Sequence, residues 1–96
     1  MREYPIRPIP FTDTHLTDAF WAPRLEINRT QTIPFALDQC ESSGRVDLLR
    51  RAAAALQGDT TIDKTQPTFP FDDTDIYKVI EGAAYTLAIH PDPALE

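Results

Sequence analysis

The stretch FDDTDIYKVIE, from Phe71 to Glu81, crowds Asp72, Asp73, Asp75, Lys78 and Glu81 together, the one concentrated charge constellation in the chain. Paired carboxylates can cleave a glycosidic bond, one acting as acid and the other as nucleophile or base. The same residues have a simpler use. Aspartate at a helix N-cap or in the first turn accepts hydrogen bonds from orphan amides and opposes the macrodipole, with a cap worth roughly 0.5–2 kcal/mol. Asp72 and Asp75 have capping-box spacing, with Asp in place of the usual Glu, which assigns Asp72 to the cap and leaves Asp73 and Asp75 open.

Other reactive side chains are sparse. His15 and His90 are far apart, with no i, i+4 His pair for a metal. His90 stands before Pro91 at a predicted helix end, where a side-chain cation complements the dipole. Cys40 falls on an apolar stripe between Asp38 and Glu41, a setting of the wrong sign for a reactive thiolate, so it reads as a small core residue. Phe20 and Trp21 could stack on a sugar, but an aromatic pair at a helix start reads first as core. With Gly44, Gly58 and Gly82 as the only glycines, there is no phosphate-cradling loop and no nucleophile elbow.

Ninety-six residues, 42% of them hydrophobic, suit one small domain with a thin core. The net charge of −6 argues against nucleic acid or an anionic membrane as partner. Arg45, Arg50 and Arg51 form the only basic cluster, and with Asp47 among them they read as a solvated helix face. A single cysteine excludes an internal disulfide and predicts a reducing compartment. No signal-peptide pattern opens the chain and no apolar run nears the roughly 20 residues of a membrane span, so the expected location is cytoplasmic.

Local signals then place the elements. Pro5, Pro8 and Pro10 exclude a helix before residue 17 and predict an extended arm or edge strand over residues 1–16. Thr17 or Asp18 opens a helical region over 18–43, broken or bent near Pro34 because that residue cannot donate to the Thr30 carbonyl. Gly44 stops it. Val46, Leu49, Ala53 and Leu56 form the stripe of a helix over 45–57, ended by Gly58. Residues 59–71 read as a long loop. A last helix over 74–89 carries a broad apolar stripe of Ile76, Val79, Ile80, Ala83, Ala84, Leu87 and Ala88. In HPDPALE, Pro91 ends that helix while Asp92 and Pro93 supply the N-cap and N1 of another, so the pattern suggests a piece of a larger protein.

Three stretches, LTDAFWAPRLEINRTQTIPFALDQCESSGRVD, FDDTDIYKVIEGAAYTLA and HPDPALE, together resemble the N-terminal part of glycoside hydrolase family 127, the β-L-arabinofuranosidases. The resemblance implies an all-α fold, with residues 17–96 forming the first helices of an (α/α)6 barrel and residues 1–16 an arm that pairs with a β-sandwich domain. It also implies release of L-arabinofuranose by a cysteine thiolate near a zinc ion held by cysteines and a glutamate, with a second glutamate as acid/base. Those residues lie C-terminal of the resembling region. No catalytic or metal role passes to this chain, Cys40 is not at the nucleophile's place, and these residues alone are expected to be inactive. The helix from Thr74 would be an inner barrel helix, which would put Asp73 and Asp75 beside a carbohydrate pocket. Two alternatives remain: a helical protein-interaction module, or another (α/α) toroid carbohydrate enzyme such as an unsaturated glucuronyl hydrolase.

Overall fold

Asp18 starts the first helix. Its Oδ2 accepts hydrogen bonds from the amides of Phe20 at 3.1 Å and Trp21 at 2.8 Å, and its Oδ1 accepts from Ala22 at 3.2 Å. These bonds satisfy amides that a helix start leaves without intrahelical partners. The computed structural model describes residues 4–63 and 69–96, and in it helix α1 spans Trp21–Ile27. A π-helical turn at Asn28–Thr32 follows, and α2 continues over Ile33–Ser42.

The π turn is how the helix absorbs Pro34. Without an N–H, Pro34 cannot bond the Thr30 carbonyl, and its ring crowds the turn behind it. Just ahead of it the Ile33 amide reaches back five residues to the Asn28 carbonyl, while Thr30 Oγ1 donates to the Glu26 carbonyl at 2.7 Å. Ile27, Thr32 and Ile33 keep right-handed helical torsions, so the irregularity expected near Pro34 is a widened turn inside continuous helix.

Gly44 turns the chain out of α2 with φ 82°, a left-handed conformation suited to glycine, and α3 then spans Arg45–Leu56. The end of α3 is a Schellman motif: the Asp59 amide bonds the Ala54 carbonyl at 3.0 Å, the Gly58 amide bonds Ala55 at 3.1 Å, and Gly58 has φ 90°. Helix α4 spans Thr74–Ile89 and stops before Pro91. In the closing turn Asp92 acts as the predicted cap, its Oδ1 accepting from the Ala94 amide at 3.1 Å. Part of the predicted 59–71 loop, residues 64–68, lies outside the described residues.

Helix α2 packs against both α3 and α4, and α3 also touches α4. The core is built from residues two turns apart on facing helices: Ile33 and Cys40 from α2, Ile76 and Ala83 from α4. Cys40 is thus buried, as its place on the stripe predicts. The buried line of α4 is narrower than its apolar stripe, because Val79 and Leu87 are half-buried while Ile80, Ala84 and Ala88 are exposed.

Three sequence expectations are corrected. Leu56 is the last residue of α3 and is 91% exposed, so the final member of the predicted stripe is not buried. Phe20 and Trp21 pack edge-to-face on each other at 4.9 Å between centroids but remain half-exposed, so they are not core among the described residues. Helix is not wholly excluded from the arm, since Phe11–Asp13 forms a 3-10 turn directly after Pro10. No strand occurs among the described residues, and the rest of the arm is irregular. Phe11 anchors it by meeting Tyr85 of α4 edge-on at 5.2 Å.

Candidate functional site

The start of α4 differs from its capping-box reading. Asp72 Oδ2 accepts from the Phe69 amide at 3.0 Å, and the Asp72 amide donates to the Phe69 carbonyl at 3.2 Å. Asp72 therefore closes the turn that precedes the helix and does not cap it. The N-cap position belongs to Asp73, whose side chain makes no cap hydrogen bond. Thr74 completes the lead-in, its amide and hydroxyl both donating to the Phe71 carbonyl at 3.1 and 2.8 Å.

Asp75, in the first turn of α4, is tied to the beginning of α3. Its Oδ2 accepts from Arg45 Nε at 2.7 Å. Each charge has a reason at its own helix. The positive end of the α4 dipole favours the carboxylate, whereas Arg45 is the first residue of α3, where the dipole disfavours a cation unless an anion is at hand. The hydrogen bond to Asp75 raises the pKa of the Arg45 guanidinium still further.

Arg45 is the partner of Asp75 that the sequence reading missed. The basic cluster is not a plain solvated face: Arg45 pairs with Asp75, Arg50 with Glu41, and Arg51 Nη2 with the Asp63 carbonyl. A cation in a helix's first turn was the signal available in the sequence.

Arg45 and Asp75 both line an open cleft of about 520 Å³ between α2 and α4, with Phe35, Gln39, Cys40 and Lys78 also on its walls. The exposed Phe35 ring supplies a flat apolar face, while Gln39 and Lys78 add hydrogen-bonding groups. A sugar needs these two kinds of surface, a platform for its C–H face and fixed partners for its hydroxyls. Asp73 is half-buried at the neighbouring N-cap. A second open cleft, of about 440 Å³, lies beside the π turn, where Arg29 and Asp92 form part of the wall.

The other candidates stay apart from this site. His90 lies at the opposite end of α4, its Nδ1 3.1 Å from the Pro91 carbonyl. His15 is exposed on the arm. A zinc site needs at least three converging donors. Among the described residues no three His, Cys, Asp or Glu side chains form such a group, so they do not fit the zinc implied by the resemblance. No described helix is long and apolar enough to cross a membrane.

Comparison with known families gives the class first: the helices and the acidic start of α4 lie within a glycoside hydrolase catalytic domain. Residues 13–96 match the family model described as Beta-L-arabinofuranosidase, GH127 catalytic domain, and the chain belongs to that family. No curated protein and no solved structure matches it.

Proposed function

We propose that this chain forms the N-terminal portion of the (α/α)6 barrel of a glycosidase that hydrolyses L-arabinofuranosides, with Asp73 and Asp75 on the sugar-pocket side. The family match over residues 13–96 carries this reading. The cleft beside Asp75 supports it, since a carboxylate acceptor, amide and ammonium groups and an exposed ring line the same cleft. Residues 4–16, with Ile6 and Ile9 exposed, are the segment that would lie against a β-sandwich domain.

The chemistry open to these residues is binding and orientation. Asp75 holds Arg45 through Oδ2, and its Oδ1 makes no hydrogen bond among the described residues, so it can accept one from a sugar hydroxyl. The only thiol is the buried Cys40, so residues 1–96 alone supply no accessible sulfur nucleophile and should not turn over substrate.

The test is an intact enzyme of the family carrying residues 13–96 of this chain in place of its own. It should hydrolyse p-nitrophenyl β-L-arabinofuranoside, and Asp73→Asn or Asp75→Asn should impair that hydrolysis with little change in melting midpoint. Unchanged kinetics in both variants would remove Asp73 and Asp75 from the pocket. Preference for an unsaturated glucuronide would overturn the substrate assignment.

A further inference from the structure

We propose that Arg45 is a positioning residue for sugar binding, holding the Asp75 carboxylate in one orientation on the wall of the α2–α4 cleft. The proposal rests on the sugar-side reading of Asp75 given above and goes beyond it by naming what fixes that side chain. Three observations carry it. The Nε···Oδ2 contact of 2.7 Å occupies one carboxylate oxygen and leaves Oδ1 without a hydrogen bond among the described residues. Both residues line the same cleft of about 520 Å³, so the pair belongs to the wall that a ligand would meet. Finally, Arg45 follows Gly44, whose φ of 82° sets the direction in which α3 leaves α2. Its backbone is therefore fixed by the turn while its side chain bridges to α4.

A free aspartate samples several rotamers and must lose that freedom when it binds a hydroxyl. An aspartate already held by a guanidinium loses less, so the ion pair lowers the entropic cost of recognition. Both partners keep substantial exposure, with side chains 35% and 47% accessible, so solvent screens the pair and its contribution to fold stability is small. Its effect should therefore be read in substrate affinity.

The experiment is a double-mutant cycle in the same intact family enzyme, reading KM, kcat and melting midpoint with p-nitrophenyl β-L-arabinofuranoside. Asp75→Asn should raise KM, and Arg45→Gln should raise it roughly tenfold with kcat nearly unchanged, the scale of one hydrogen bond lost to a charged group. Arg45→Lys should recover part of that loss, because an ammonium can hold one carboxylate oxygen without the guanidinium's planar geometry. In the Asp75→Asn background, Arg45→Gln should add less than about a twofold change, since the two residues act through one carboxylate. If Asp75→Asn leaves KM unchanged, the sugar-side reading fails and takes this proposal with it. If Asp75→Asn raises KM while Arg45→Gln does not, or while Arg45→Gln adds its full factor in the Asp75→Asn background, the positioning role alone is overturned.

Discussion

Arg29 of the π turn and Asp92 of the closing turn are joined across 63 positions of sequence by a 3.0 Å bond from Nη1 to Oδ2. The same guanidinium holds Glu26 through both Nε and Nη2, at 3.2 and 2.6 Å, so one planar fork serves two carboxylates. Side-chain exposures of 17% and 22% make the Arg29–Asp92 pair the least exposed ion pair among the described residues. The segment after α4 is thereby fastened to the middle of the first long helix.

Arg29→Lys should release that segment, because an ammonium cannot reproduce three bonds of fixed direction. Amide exchange at Leu95 and Glu96, whose N–H groups bond the Asp92 carbonyl at 3.0 and 3.2 Å, should speed up several-fold while exchange within α3 stays unchanged. Equal acceleration in both places would mean that Arg29 supports the whole fold and not this turn.

Acid should loosen the first helix through Asp18. Its pKa lies below the ordinary carboxylate value because the Trp21 amide, helped by those of Phe20 and Ala22, bonds the charged form more strongly than desolvation opposes it. A carboxyl with a depressed folded-state pKa stabilises the fold fully above its unfolded value of about 4, and that contribution is lost as pH falls through the folded value. Glu26, lowered chiefly by its bond to Arg29, and Asp59, lowered chiefly by the Thr61 hydroxyl, act in the same direction. Helicity by circular dichroism should therefore drop below about pH 4. Asp18→Asn should flatten part of that drop, and Asp18→Ala should lower the melting midpoint by roughly 5 °C at neutral pH.

Two glycine substitutions should act with opposite sign. At Gly44 the positive φ makes Gly44→Ala cost about 1–2 kcal/mol, although no atom lies within 4 Å of the added methyl group. Gly82 lies inside α4 with equally open surroundings, so Gly82→Ala should stabilise by about 0.5–1 kcal/mol. Urea midpoints at constant slope are the measurement, and a destabilising Gly82→Ala would show that another surface approaches α4 there.

The core is thin enough to hinge on single residues. Ile76 is 5% exposed, so Ile76→Ala should cost about 2–5 kcal/mol, a large part of the stability of a chain this short. Phe35→Ala, on the exposed face of α2, should change stability far less, and an equal loss in the two variants would contradict the assignment of the core to the α2–α4 contact.

The sequence alone placed the three long helical stretches to within about a turn. The expected 18–43, 45–57 and 74–89 became Trp21–Ser42, Arg45–Leu56 and Thr74–Ile89, because a cap such as Asp18, a left-handed glycine such as Gly44 and a proline such as Pro91 act within a turn of the residues they govern. The irregularity near Pro34 was legible for the same reason, since a missing N–H is a local fact. Partners and exposure were not legible. Asp72 turns back to Phe69, Asp75 turns away to Arg45, and Arg29 finds Asp92, because each choice depends on which helix ends lie side by side after α2, α3 and α4 pack. Leu56 shows the same limit from the apolar side: periodicity names the stripe, but how the helices pack decides that its last member stays in water. Candidate site residues were visible as residue types, while the cleft that Phe35, Arg45 and Asp75 line exists only because tertiary packing brings residues of α2, α3 and α4 together.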